Sequence, residues 1–201
     1  MNSRNFFIPL LDKYYVKKNT FYIIGLILAI ISLLIDDKIS LFFNSIRNES
    51  LNLISFFMSY INTIVIFVLM TLLLYIIKKK REIILMWIAF FTTGLFSLII
   101  KLIVGRSRPF ISLGLEKLNG VDFNFALWNS SFLSWHSAAL FVIYPFLEKK
   151  VRYYWLVFAL ILAINRVYTG VHYLSDVIAG ILLGHATAWL IIYINKRFRI
   201  L

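Results

Sequence analysis

"IILMWIAFFTTGLFSLIIKLIV", residues 83–104, is an almost unbroken apolar run, followed at once by "GRSRP". Crossing the hydrocarbon of a bilayer takes roughly 20 helical residues, about 17 to 25 in practice. This stretch meets that length, and its single charge, Lys101, stands near its end. The rest of the chain has the same character. Of 201 residues, 61% are hydrophobic and 15% charged, and the mean hydropathy is +0.86. Soluble domains carry about half apolar and a quarter charged residues. The composition therefore predicts an all-α, polytopic membrane protein, with residues 1–201 forming a single membrane-embedded domain. The absence of cysteine excludes disulfides and thiolate metal sites.

Further apolar runs fall at residues 20–35, 62–77, 137–147, 153–164 and 177–194. The last is long enough by itself. The others reach spanning length if their flanks contribute: 51–61 for the second, Ser134 onward for the fourth, and up to Arg166 for the fifth. The count is a six-helix bundle. Lys and Arg mark its cytoplasmic side. Four lie in the leader (Arg4, Lys13, Lys17, Lys18), and four in the second connection (Lys78, Lys79, Lys80, Arg81). Three more lie in the fourth connection (Lys149, Lys150, Arg152) and three in the tail (Lys196, Arg197, Arg199), so 14 of 21 share one face. Both termini are expected to be cytoplasmic, and the leader, with no small-residue cleavage site after its apolar run, is expected to be retained. The +12 formal charge is then a topology signal plus attraction to anionic lipid, not a sign of nucleic-acid binding. The first connection, 36–49, reads as an interfacial stretch. Gly180, Gly184 and Ala188 give the last helix a small-residue stripe for close packing.

The opposite, extracytoplasmic face collects three polar clusters. In "KLIVGRSRP", 101–109, Lys101 and Arg108 are two helical turns apart and share a face if the helix continues that far, although Pro109 disfavours a helical Arg108. Snorkelling to headgroups is the bland alternative. In "SFLSWHSAAL", 131–140, Ser134 and His136 open an apolar run where free N–H groups favour an anion; an ordinary N-cap and an idle interfacial histidine are the alternatives. In "NRVYTGVHYLSD", 165–176, His172 and Asp176 are four apart, so on a helix the carboxylate can reach one imidazole nitrogen and leave the other free. Arg166 stands upstream across a turn containing Gly170. Ionisable groups inside a membrane protein are costly and are functional by default. The third and fifth connections emerge on one side, so three cations, a hydroxyl, two histidines and a carboxylate can meet at one site. Such a set suits a phosphate dianion, held by Arg forks and a Lys point charge, with imidazoles for nucleophilic and acid–base work.

These residues resemble the type 2 phosphatidic acid phosphatase and vanadium haloperoxidase superfamily, whose pattern is K-x6-RP, PSGH and SR-x5-H-x3-D. Here the first motif is Lys101-x6-Arg108-Pro109. The second is Leu133-Ser134-Trp135-His136, and the third Asn165-Arg166-x5-His172-x3-Asp176. The motif core therefore spans 101–176. The resemblance implies a metal-independent, cofactor-free lipid phosphate or lipid pyrophosphate phosphatase in the cell (inner or plasma) membrane. Its substrate would be phosphatidic acid, a polyprenyl pyrophosphate of the undecaprenyl type, phosphatidylglycerol phosphate or a lipid A phosphate. It further implies that Lys101, Arg108, Ser134 and Arg166 hold the phosphate. His172 attacks to give a phosphohistidine, Asp176 orients it, and His136 protonates the leaving oxygen.

Three departures carry weight: Leu133 for Pro, Trp135 for Gly and Asn165 for Ser. Trp135 keeps the backbone N–H but lacks glycine's freedom of φ, and its indole suits the lipid interface. The rival class is a lipid-binding or transport protein with a degenerate phosphate site. Arg106 reads as a spare phosphate contact or, by preference, a headgroup anchor, and His185, deep in the last helix, as a packing residue. The long connection after Gly105, with Phe123, Phe125 and Trp128, is expected to lie on the membrane and admit the lipid.

Overall fold

The computed structural model describes residues 8–60, 63–116, 118 and 130–201. Eight α-helices are described: α1 Ile8–Ser45, α2 Glu49–Tyr60, α3 Thr63–Ile76, α4 Lys80–Val104, α5 Pro109–Ser112, α6 Trp135–Ile143, α7 Lys149–Tyr168 and α8 Leu174–Phe198. A 3₁₀ turn, Tyr144–Phe146, extends α6. No strand occurs among the described residues. Phe123, Phe125 and Trp128, the aromatic part of the long connection, lie outside them.

Four stretches are long and apolar enough to cross a membrane: Asn19–Ser45, Lys80–Ser112, Lys149–Tyr168 and Leu174–Phe198. A fifth arises if α2 and α3, bent by 55° to one another, count as one. Their outward faces expose large apolar side chains such as Leu34, Leu72, Phe91, Ile103 and Ile161. In water that would be an aggregation surface; against acyl chains it is the favoured one. The expected sixth crossing is α6, only nine residues before its 3₁₀ turn. It is also the most enclosed element, with every residue from Ser137 to Ile143 buried. It runs through the centre, between α8, α4 and α7.

Close approach of α6 to α8 is set by the small-residue stripe. A Cβ added to Gly180 would lie 2.4 Å from the Ser134 carbonyl oxygen, and one on Gly184 only 1.9 Å from that of Ala138. The two helices therefore touch backbone to backbone, as the stripe predicted. Phe67, Met86, Phe90, Val142 and Ile143 complete the core around them, and the Trp155 indole N–H donates to the Leu140 carbonyl at 3.0 Å.

Two helix ends differ from expectation. The helix carrying Lys101 stops at Val104, because Gly105 takes a left-handed conformation (φ +56°) and closes it with an N–H bond to the Lys101 carbonyl. Arg108 is then extended ahead of Pro109, so it does not share a helical face with Lys101. The first connection is also shorter than 36–49, since α1 continues to Ser45. Asp36 reads as a helix end by polarity, but it is buried with partners on another helix.

Two sets of contacts link the connections. Lys79 pairs with Glu148 at 2.9 Å, joining the second and fourth connections at one end. At the other end Arg47 donates to the carbonyls of Glu116 (2.5 Å) and Tyr168 (2.8 Å), joining the first, third and fifth.

Replacing Gly184 by Ala should destabilise the detergent-solubilised protein by about 3 kcal/mol or more, the upper range for overpacking, because rigid backbone blocks the new methyl. Gly25→Ala meets only the flexible tip of Leu182 and should leave the thermal midpoint near the wild-type value. Equal shifts in the two melts would contradict this account of α6–α8 packing.

Candidate active site

The third connection and the turn between α7 and α8 supply most of the site. Gly170, at φ +74°, allows the chain to reverse after α7, and the His172 N–H closes that turn on the Arg166 carbonyl at 3.1 Å. Phe110 N–H donates to the Gly170 carbonyl at 3.1 Å, and Arg108 donates to the Val171 carbonyl at 3.0 Å. Arg108 and its α5 are thereby tied to the turn that presents His172. Lys101, buried at the end of α4, donates to the Ser130 carbonyl at 2.7 Å. The Ser131 N–H donates to the Arg106 carbonyl at 2.8 Å. The two motif segments of the third connection are thus stitched together through their backbones.

His172 is 4% exposed. Its Nδ1 lies 2.8 Å from the Ser131 carbonyl oxygen. A carbonyl only accepts, so Nδ1 carries the proton and Nε2 presents its lone pair. The expected direct hydrogen bond to Asp176 is not formed: the nearest carboxylate oxygen is 3.8 Å from Nδ1. The reason is local. α8 begins at Leu174, leaving His172 outside the helix, and Asp176 reaches back to accept the Tyr173 N–H at 2.9 Å. This satisfies one of the free donors at a helix start. Burial, then the charges of Arg108, Lys101 and Arg166, push the His172 imidazole well below its ordinary value, against the opposing bond to Ser131. A neutral imidazole results.

Ser134 is the N-cap of α6, accepting from Ser137 N–H and Ser137 Oγ–H at 3.5 and 3.0 Å. Its own N–H donates to the Asp176 carbonyl at 3.0 Å, which binds the start of α6 to the start of α8. His136, one residue into α6, lies within electrostatic reach of Arg166, His172, Arg108 and Lys101. The imidazoles expected from two distant segments therefore face one cluster of cations. Arg166 and His136 also border a cleft lined by Met58, Ile66, Leu140 and Leu162. Arg166 Nε is buried with no hydrogen-bond partner among the described residues, an arrangement costly in a folded protein unless something supplies an acceptor.

The three departures have structural readings. Trp135 is helical, and among the described residues the non-glycine positions at positive φ are Lys78 and Arg199, so glycine's freedom is not demanded at 135. Its indole packs on Phe90, centroids 4.9 Å apart, and over Gly94. Leu133 is buried. Asn165 donates to the Ser55 carbonyl and Ser59 Oγ at 3.3 and 3.2 Å, tying α7 to α2.

Arg106 is not a headgroup anchor. Its guanidinium bridges Asp36 and Asp176 at 2.8 and 2.9 Å, and lies 3.9 Å from the Tyr173 ring centre. His185 packs as expected, between Tyr22 (3.0 Å from Nδ1) and the Trp189 indole N–H (3.0 Å from Nε2). Residues that sequence reading missed are Ser131, whose carbonyl sets the His172 tautomer, and Asp36. Ser131 acts through its backbone on a ring 41 residues away, which its place beside the second motif does not reveal; only the cost of an aspartate in an apolar helix signalled Asp36. Among the described residues no three His, Cys, Asp or Glu side chains group as a metal-ligand set.

The family model described as the PAP2 superfamily matches residues 84–200. No curated protein matches the chain significantly. One solved structure is that of the first transmembrane PAP2-type phosphatidylglycerolphosphate phosphatase from Bacillus subtilis. It superposes with a TM-score of 0.68 at 24% identity, covering 89% of this chain and 95% of that one. The crystal structure of Aquifex aeolicus LpxE gives 0.65 at 21% identity, covering 79% and 95%. The fold is thus that of membrane PAP2 proteins, and with more than half its length matched by the family model, the chain belongs to the PAP2 superfamily.

Proposed function

We propose that this multi-pass membrane protein is a metal-independent lipid phosphate or lipid pyrophosphate phosphatase that works through a phosphohistidine at the extracytoplasmic face. The observation that carries the reading is the pairing of a neutral His172, with Nε2 unengaged by its Ser131 bond, and a surrounding set of three cations. Lys101, Arg108 and Arg166 take the phosphate oxygens, and the unsatisfied Arg166 Nε–H finds its acceptor there. Ser134 adds its hydroxyl. These donors also neutralise charge that builds on the equatorial oxygens as phosphorus becomes five-coordinate.

Nε2 of His172 forms a bond to phosphorus as the bond to the lipid oxygen breaks, and His136, which takes up a proton when the bound phosphate dianion offsets the neighbouring cations, donates it to that oxygen. Water then attacks the phosphohistidine with neutral His136 taking its proton, so phosphate leaves and both imidazoles return to their starting states. Ser131 holds the tautomer. Asp176, 3.8 Å away, offsets the positive charge on the phosphorylated ring and fixes the start of α8. The extracytoplasmic assignment rests on the Lys and Arg bias, since the site lies at the end opposite Lys79 and Glu148. Substrates of the phosphatidic acid or undecaprenyl pyrophosphate class fit a site flanked by an apolar cleft; the neighbouring folds act on phosphatidylglycerolphosphate in one case.

Purified protein in detergent, given a short-chain lipid phosphate with EDTA present, should release inorganic phosphate. His172→Ala should lower kcat by on the order of 10³-fold or more, and His136→Ala by roughly 10²- to 10⁴-fold, the usual range for a general acid. Tight binding without release by the wild-type protein would replace this reading with a lipid-binding one. Vanadate, which adopts the five-coordinate geometry, should inhibit; full activity at millimolar vanadate would contradict in-line attack by His172. Because the folded His172 titrates well below the ordinary imidazole value, its ring resonances should not move as the pH falls from about 7.5 to about 6. An NMR titration with a midpoint near 6.5 would contradict the burial-driven shift.

A further inference from the structure

Asp36 lies on α1, outside the residues matched by the family model, yet it is 2% exposed and reaches the helix that follows His172. Its Oδ1 accepts the Ser175 backbone N–H at 3.0 Å. Its Oδ2 accepts from Arg106 at 2.8 Å and from the Ser175 hydroxyl. Arg106 in turn donates to Ser175 Oγ at 2.7 Å and Asp176 Oδ1 at 2.9 Å, while its face covers the Tyr173 ring. The start of α8 is therefore held by two carboxylates, one from within the helix and one from α1, with Arg106 between them.

This arrangement has a consequence for charge as well as for position. Arg106 is two residues from Arg108, close enough to compete for a phosphate group. Both of its terminal nitrogens are instead committed to carboxylates. Without Asp36, one nitrogen of Arg106 loses its partner, and the free N–H groups at the start of α8 lose one of their two acceptors. The turn carrying His172 is anchored at its far end by that same helix start, through the Tyr173 N–H bond to Asp176.

We infer that Asp36 is a positioning residue for phosphoryl transfer: through Arg106 and Ser175 it fixes the start of α8, and so the placement of His172, making α1 part of the active unit. The inference rests on the reading of His172 as nucleophile. It predicts an effect on turnover and not on substrate capture, because Asp36 acts through Arg106 and Ser175.

The test uses the full chain in detergent and a short-chain lipid phosphate, comparing wild type, Asp36→Asn, Arg106→Gln, the double variant, His172→Ala and Ser32→Ala. Ser32 is equally buried on α1 but among the described residues bonds to Ala29 of its own helix, so it reports on α1 packing. Asp36→Asn should lower kcat by roughly 10- to 100-fold at unchanged KM, the scale of a small misplacement of a reacting group. The double variant should be no worse than Arg106→Gln, since neighbours in one network act as a unit. Ser32→Ala should leave kcat unchanged even where it lowers the melting midpoint. If Asp36→Asn does not fold, Arg106→Gln carries the test, with the same fall in kcat at unchanged KM. The inference is overturned if kcat holds within about twofold, if losses in kcat track melting midpoints across all variants including Ser32→Ala, or if Arg106→Gln raises KM alone, which would make Arg106 a phosphate ligand. An inactive His172→Ala beside an unaffected Asp36→Asn would overturn this inference and leave the nucleophile standing; a fully active His172→Ala would overturn both.

Discussion

The backbone contact between α6 and α8 is the constraint on which the remainder of the structure rests. Gly180 and Gly184 remove the side chains that would hold two helices apart, and the carbonyls of Ser134 and Ala138 occupy the space. In lipid there is little hydrophobic gain from bringing helices together, so close packing and hydrogen bonds must supply the attraction. Both are present. The helices meet backbone to backbone, and the Ser134 N–H to Asp176 carbonyl bond joins their starts. One contact therefore accounts for a central helix too short to hold its place by membrane thickness, and for the approach of His136 towards His172.

Around that contact the protein solves an electrostatic problem. Lys101, Arg108 and Arg166 surround a neutral imidazole, and charges of one sign repel in a poorly solvated site. Backbone carbonyls take part of the load: Ser130 for Lys101 and Val171 for Arg108. The two buried carboxylates nearby, Asp36 and Asp176, are engaged with Arg106 and with N–H groups at the start of α8. In the proposed reading a phosphate dianion balances the three cations, a division in which Asp36 and Asp176 are left to Arg106 and the start of α8. It also explains why an aspartate survives in the middle of α1, in a helix whose other face is apolar and exposed.

The chemistry proposed for the site depends on one tautomer. In the sequence, His172 and Asp176 look like a directly bonded pair, but the helix start claims the carboxylate and a carbonyl from the third connection claims the ring. The outcome for the imidazole is the same, with Nδ1–H occupied and Nε2 presented. The route differs, and it transfers the control of the nucleophile from its own helix to Ser131, 41 residues earlier.

Local pattern was enough for a good deal of this. Hydropathy over about 20 residues reports the solvent of each helix directly, so the membrane class and the long crossings at α4 and α8 were readable. The spacing of Lys101, Arg108, Arg166, His172 and Asp176 carried the family resemblance. The glycine stripe announced a close helix contact because small residues at that period have no other effect in lipid. What the sequence could not decide were quantities that depend on partners far along the chain. Arg106 was misread because nothing local places two carboxylates beside it. The end of α4 at Gly105 turned on one residue's φ, and the continuation of α1 through Asp36 turned on acceptors and donors from α8 and the third connection. Periodicity and motif spacing are properties of neighbours in sequence; hydrogen-bond partners for buried charge are properties of neighbours in space, and only the folded chain brings those together.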